Sequence, residues 1–309
     1  EVLTKEKANQ LIQECEQSKW KVSSVEKKPS IQNPYPPFIT STLQQEGIRK
    51  LKLSSQQVMR TAQYLYEEGY ITYMRTDSIN LSNEAIKASR NIILSKFTKE
   101  YLPENPRTYK SKVKNAQEAH EAIRPAGSIF KSPDKLQNIL EGPAWKLYDL
   151  IWKRTVASQM KSAKIEMTKV NITNENLDFE AKGKVIQFPG FLKIYVEDID
   201  DPNKEKDDKE SILPPLINND VINGNSFIPK QHFTKPTPRY TEASLVKELE
   251  ALGIGRPSTY AAILGNIQKR GYVRKVKGAL IPTFTAYAVV QFLEKYFSDM
   301  VNLQFTANL

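Results

Sequence analysis

Apolar residues near the start fall three and four apart. Ala8, Leu11, Ile12 and Cys15 share one stripe, which predicts an amphipathic helix over residues 4–20 followed by an extended run over 20–25. Residues 27–37 contain Pro29, Pro34, Pro36 and Pro37 and read as a link without regular structure. A helix is expected to begin near Thr40. Another follows at Ser54: Gln57 closes a Ser-x-x-Gln capping box, Val58, Ala62, Leu65 and Tyr66 recur at helical spacing, and Gly69 suits the position just past the helix end. The period then shortens to that of a strand over residues 70–74, with Tyr70, Thr72 and Met74 on one face and Ile71 and Tyr73 on the other.

Further along, Ser82 caps a predicted helix that buries Ala85, Ile86, Ile92 and Ile93, and a loop carrying Lys110, Lys112 and Lys114 follows. Residues 145–160 read as a helix with Leu147, Leu150, Ile151, Val156 and Ala157 inward. Antiparallel strands are predicted from Ile165, Met167, Val170 and Ile172, then from Phe179, Val185, Phe188, Phe191, Ile194 and Val196, in short runs separated by turns. The charged stretch 198–210 reads as a loop. From Thr241 the pattern is helix, turn, helix: Ala243, Leu245, Val246 and Leu249 face inward, Gly253 and Gly255 make the turn, Pro257 opens the second helix and Gly271 ends it. Tyr272-Val273 and Leu280-Ile281 would be the strands of a wing, and this spacing suits a winged helix.

Composition narrows the partners. The 309 residues leave room for about two domains. With 45 Lys and Arg against 35 Asp and Glu, a net charge of +10 and a pI near 9.3 point to an anionic partner without identifying it. No apolar run is long enough to span a bilayer, and the first residues are not a signal peptide, so a cytosolic protein is expected. Cys15 is the one cysteine, which excludes an intrachain disulfide and a thiolate zinc cluster. His120-Glu121 lacks the second histidine of a zinc protease, because Arg124 stands four positions on. The abrupt ends suggest an excised or incomplete chain.

A tyrosine can attack a phosphate once its hydroxyl is activated, and an arginine two residues on can neutralise the transferring group. By itself, Tyr73-Met74-Arg75 reads first as a packed aromatic beside a solvated charge. Residues 69–78, Gly-Tyr-Ile-Thr-Tyr-Met-Arg-Thr-Asp-Ser, closely resemble the active-site signature of the type IA DNA topoisomerases, and Met74 resembles the bacterial topoisomerase I branch. Three further stretches resemble the same family: residues 38–45, residues 115–125 around His120, and residues 253–260, Gly-Ile-Gly-Arg-Pro-Ser-Thr-Tyr.

The resemblance implies that Tyr73 forms a transient 5′-phosphotyrosyl bond with one cut strand and that Arg75 assists. It places His120 near the scissile phosphate and strand binding at Arg256, Ser258 and Thr259, with Arg270 a further candidate. An α+β multidomain, toroidal fold is implied: a β-rich arch from 1–33 and 160–236, a helical domain carrying the tyrosine over 34–159, and an incomplete winged-helix-like base over 237–309. The expected activity is relaxation of negative supercoils without ATP, by a cytoplasmic, chromosome-associated monomer acting on single-stranded DNA and not on membranes. Magnesium is expected for the complete enzyme, held by a TOPRIM domain outside this chain, so the fragment alone is expected to relax DNA poorly. Asp198-Ile199-Asp200 lacks the acidic fifth residue of that metal motif, where Pro202 stands. The rival from another class is a winged-helix regulator that binds duplex DNA through residues 241–285 without chemistry.

Overall fold

The computed structural model describes residues 4–110, 121–174, 176–196, 213–224 and 226–308. It has an α+β architecture and divides into two compact units. The first consists of Glu1–Gln32, Ala163–Pro189 and Asn203–Thr237. Helix α1 (Lys5–Gln17) starts at Thr4, whose hydroxyl accepts from the Lys7 amide. Strands β1 (Trp20–Gln32), β2 (Ala163–Thr173), β3 (Asp178–Phe188) and the short β4 (Val221–Ile222) form an antiparallel sheet in the order β3-β2-β1-β4. Trp20 anchors this unit: its indole donates to the Cys15 carbonyl at 3.1 Å, and its ring meets Phe179 edge-on at 5.0 Å.

The sheet corrects two expectations. Residues 27–32 are strand rather than link, with Pro29 opposite Glu166. Proline is tolerated there because β4 pairs with β1 only at Trp20 and Lys21, so the Pro29 edge has no ladder partner among the described residues. Phe191 and Ile194 do not extend the strands. Gly190–Lys193 is a 3-10 turn of the second unit, with Phe191 buried.

The second unit consists of Asn33–Ser162, Gly190–Pro202 and Pro238–Leu309. Its helices are α2 (Thr40–Leu51), α3 (Ser55–Glu67), α4 (Asn83–Lys96), the single turn α5 (Pro133–Leu136), α6 (Pro143–Ser158), α7 (Glu242–Ala251), α8 (Tyr260–Lys269), α9 (Phe284–Tyr296) and α10 (Leu303–Asn308). Leu43, Val58, Leu65, Ile93, Leu147, Ile151 and Val156 form the core that α2, α3, α4 and α6 share. A charged residue lies within it. Arg154 is 2% exposed, packs against the rings of Tyr35, Phe38 and Tyr195 at 4.8 to 4.9 Å, and donates to the Pro36 carbonyl and the Tyr195 hydroxyl. The Tyr195 hydroxyl in turn donates to buried Glu46 at 2.7 Å.

Helices α7 and α8 with the hairpin of β5 (Val273–Val276) and β6 (Ala279–Pro282) make a small winged module around Val246, Tyr260, Leu264 and Leu280. Ala243 and Val246 are buried as expected, and Leu245 and Leu249 are partly so. The second helix starts at Tyr260, not at Pro257. Residues 257–259 form a turn in which the Thr259 and Tyr260 amides both reach the Arg256 carbonyl, so the chain is still tightening toward helix there.

Candidate active site

The tyrosine segment is held from both ends and one side. At its start, α3 stops in a Schellman arrangement: the Gly69 amide donates to Tyr66 O and the Tyr70 amide to Leu65 O, at 2.9 and 2.8 Å. Gly69 sits at φ +69°, which a side chain would strain. Beyond it the chain is extended but is not the strand that alternation predicts. A single bridge joins Ile71 to Pro125, the Thr72 amide donates to Arg124 O, and the Ala126 amide donates to Tyr70 O. With only that bridge, nothing keeps a two-residue period. Ile71 and Met74 are buried, whereas Tyr73 and Arg75 are exposed.

The far end of the segment is fixed by the start of α2. The Thr40 hydroxyl donates to Met74 O at 2.7 Å and accepts from the Thr76 amide at 2.9 Å, while the Thr40 amide donates to Thr76 O at 2.9 Å. Thr40 thus clamps both sides of Arg75. Residues 38–45 therefore serve the tyrosine loop directly, a role that helical periodicity could not reveal. Phe38 pairs with Ile123 in a further isolated bridge, so residues 121–126 lie between Phe38 and the tyrosine segment.

Tyr73 is 41% exposed, and its ring meets Tyr66 edge-on at 5.3 Å. Among the described residues the Arg75 guanidinium has no hydrogen-bonding or ionic partner, which leaves its fork open to a phosphate. Arg124 has the opposite character. It is 6% exposed and donates twice to the Glu121 carboxylate, at 3.1 and 2.8 Å, and also to the carbonyls of Pro125 and Gly127. It braces the loop that holds residues 70–72. Burial pushes the Glu121 carboxyl up, but hydrogen bonds from Arg124 and from the Ser82 amide outweigh it and leave its pKa below the ordinary value. A depressed carboxylate stabilises the fold above the unfolded pKa of about 4.3 and loses that contribution as pH falls through the lower folded value. Thermal melts between pH 3 and 6 should show Glu121→Gln with a flatter acid-side decline than the native chain. His120 and Glu118 lie outside the described residues.

Residues 253–260 are joined to the same loop through α2 and α7. The Ser41 hydroxyl, next to Thr40, donates to Glu250 at 2.6 Å, and Glu242 at the start of α7 accepts from the Ser55 amide and from Gln268. Asp77, Glu250 and Arg256 all act on the Tyr260 hydroxyl: burial, then Glu250, raises it to about 12, with Asp77 adding and Arg256 opposing. Ser41 thus ties the end of α7, from which the Gly-Arg-Pro-Ser-Thr turn follows, to the helix whose start clamps the tyrosine stretch. Arg256 is exposed, with one guanidinium nitrogen on the carbonyls of Gly253 and Gly255 at 3.2 and 2.8 Å. The Thr259 hydroxyl accepts from the Arg256 amide at 2.8 Å and so shapes the turn, and Ser258 is exposed beside it.

Arg270 is not part of this cluster. It caps the opposite end of α8, about 15 Å from the turn at 1.5 Å per residue. Between the two, Gly265 abuts Gln56 of α3 so closely that a Cβ would overlap the Gln56 amide. That face of α8 is covered. Among the described residues no group of three or more His, Cys, Asp and Glu is placed to hold a metal ion, and Asp198 and Asp200 lie outside them. The described donor set does not fit the magnesium that the resemblance implies.

A family model for DNA topoisomerase matches residues 1–309. The DNA topoisomerase 1 of Synechococcus elongatus is 50% identical over 308 residues, covering 100% of this chain and 35% of its own length. That of Streptomyces coelicolor is 52% identical over 307 residues, or 98% of this chain and 32% of its own. The full-length topoisomerase I of Thermotoga maritima aligns with a TM-score of 0.80 at 36% identity, covering 97% of this chain and 49% of that one. The chain spans about a third of the length of the curated relatives it matches. Matched from end to end by the family model, it belongs to the DNA topoisomerase family, in the bacterial topoisomerase I branch of the type IA enzymes.

Proposed function

We propose that this chain carries the nucleophile and part of the strand-binding groove of an enzyme that relaxes negatively supercoiled DNA without ATP. The observation that supports this best is that residues 38–45 and 121–126 hold one exposed loop that presents Tyr73 and Arg75, while Ser41 of the same helix holds the end of α7 that leads into residues 253–260. Tyr73 Oη attacks a backbone phosphorus of a single strand, the P–O3′ bond breaks, and the 3′-hydroxyl leaves with a proton. Arg75 binds the non-bridging oxygens of that phosphate and offsets their growing charge. Because the phosphotyrosyl ester keeps the energy of the broken diester, the 3′-hydroxyl can reattack after a strand has passed and restore the DNA with a changed linking number. No nucleotide is consumed.

Arg256, Ser258 and Thr259 hold the strand at the start of α8, where backbone amides already favour a phosphate. His120 is proposed to contact the same strand, and Arg270 to bind DNA at the other end of that helix. The arch, tyrosine and base divisions, action as a monomer on chromosomal DNA in the cytoplasm, and magnesium held by residues other than the described ones belong to the same reading. No helix among the described residues is long and apolar enough to cross a membrane. The winged-helix regulator is disfavoured by one contact: α8 would have to enter a major groove, and Gln56 of α3 occupies its Gly265 face.

Binding of a labelled single-stranded oligonucleotide across a salt series tests the groove. Arg256→Ala should weaken affinity several-fold at moderate salt and reduce the slope of log K against log salt by about 0.7, the value of one lost phosphate contact on single strands. An unchanged slope would remove Arg256 from the groove.

A further inference from the structure

The backbone is fixed on both sides of Tyr73, by the Thr72 amide on Arg124 O and by the Thr40 hydroxyl, which meets Met74 O and the Thr76 amide. Those bonds do not themselves choose among the three staggered wells about the Tyr73 Cα–Cβ bond. Each well carries the ring, and its hydroxyl, in a different direction, whereas attack on a phosphorus needs one alignment. Three more tyrosines lie just upstream. Tyr70 is engaged elsewhere: its ring meets Tyr148 edge-on at 6.2 Å and lies under the Lys131 ammonium at 4.7 Å. Tyr64 borders a groove with Arg60, Thr61, Ile139 and Pro143, and at two residues from Tyr66 it points from nearly the opposite side of α3. Tyr66 is the one whose ring meets Tyr73, at 5.3 Å between centroids and 69° between planes.

That edge-to-face arrangement is one that ring quadrupoles favour, so it fixes a direction as well as a distance. Tyr66 is itself well anchored. It lies in the last turn of α3, and its carbonyl accepts the Gly69 amide where the helix ends. The bond that turns the chain toward Tyr73 thus also holds the backbone of the residue that meets its ring. Tyr66 is 42% exposed and Tyr73 41%, so the contact adds little to the core. We infer that Tyr66 is a positioning residue for strand cleavage, its ring selecting the Tyr73 rotamer from which Oη attacks. This rests on the strand-cleavage reading above and deepens it. The apparent rate follows the fraction of molecules in the attack-ready rotamer. Resealing differs, because there Tyr73 starts already held by its bond to the phosphate. Loss of the Tyr66 ring should therefore slow cleavage and leave resealing unchanged.

The test uses the Synechococcus elongatus topoisomerase 1 with this chain in place of its matched segment, carrying native Tyr66, Tyr66→Phe, Tyr66→Leu or Tyr66→Ala. Single-turnover adduct formation on a saturating single strand, resealing of preformed adduct, and strand affinity by anisotropy are measured for each. Tyr66→Ala and Tyr66→Leu should form adduct roughly 3- to 10-fold more slowly, the factor that one aromatic pair supplies. Tyr66→Phe should restore the native rate, and affinity and resealing should stay within about two-fold throughout. Adduct formation at the native rate in Tyr66→Ala would overturn the assignment, as would a Tyr66→Leu variant as fast as Tyr66→Phe, since bulk alone would then suffice. Equal slowing of cleavage and resealing would also overturn it. So would weaker affinity at an unchanged saturated rate, which would make Tyr66 a stacking surface for a base. A native chimera whose adduct forms at a residue other than Tyr73 would overturn the strand-cleavage reading itself. Because Tyr66 is half-exposed, matched thermal melts should show the fold intact in all four proteins.

Discussion

Tyr73→Phe is expected to abolish the covalent DNA adduct, by roughly 10⁵-fold or more, the scale on which enzymes lose rate when a covalent nucleophile is removed. Because the chain spans about a third of its curated relatives, the reaction should be measured in a chimera. In it, this segment replaces the matched segment of the Synechococcus elongatus enzyme. The substitution removes one exposed hydroxyl and keeps the ring that meets Tyr66, so the melting temperature should barely move and single-strand affinity should stay within about two-fold. Loss of adduct with retained binding separates a chemical role from a binding one. Adduct formation at the native rate would show that another residue attacks.

Arg154→Leu should have the largest effect on stability. Arg154 is 2% exposed, and its removal takes away the donor that the Pro36 carbonyl and the Tyr195 hydroxyl share inside the core. Tyr195 in turn orders Glu46, which sits on α2 a turn and a half beyond the Thr40 clamp and also pairs with Arg49 at 3.3 Å. Breaking one partner of a buried charged network costs about 3–5 kcal/mol, which corresponds to roughly 10 °C in Tm for a unit of this size. Thermal and urea melts followed by circular dichroism would measure it. A melting temperature within a degree or two of the native value would show that the three stacked rings alone maintain the packing.

Much of this was legible in the sequence because helix signals are local. The Ser54, Ser82 and Thr241 caps all stand where their side chains predict, since a cap needs only residues three apart. The strand over 70–74 failed for a non-local reason. Its partner is a short piece of chain some fifty residues away, and one bridge at Ile71 is too little to impose alternation. Pro29 misled in the same way, because an edge position becomes visible only when the sheet order is known. At the site, Tyr73, Arg75 and Arg256 stood out through family resemblance, not through periodicity. Thr40, Ser41, Glu121 and Glu250, which position them, were missed as individuals. Their signal was present only in part, in the conspicuous polar run Thr40-Ser41-Thr42 at a helix start, which has more hydroxyls than a cap requires.

The convergence of segments also explains why Arg75 differs from Arg124 although both lie beside the tyrosine. Arg124 is held by Glu121 and by two carbonyls, whereas Thr40 fixes the backbone on both sides of Arg75 and leaves its side chain exposed. A rigid backbone with an open guanidinium is the arrangement that phosphate capture requires, because little ordering remains to be done on binding.

The central claim is that Tyr73 attacks and keeps the 5′ phosphate. It is tested most directly by trapping the chimera on a single strand labelled at its 3′ end, digesting with trypsin and sequencing the labelled peptide by tandem mass spectrometry. Cleavage after Arg60 and Arg75 yields a peptide that also contains Tyr64, Tyr66 and Tyr70, so the fragment series must locate the nucleotide. The account predicts the 3′-labelled strand attached to Tyr73 alone. Attachment to another of these tyrosines, or retention of a 5′ label in place of the 3′ label, would contradict it.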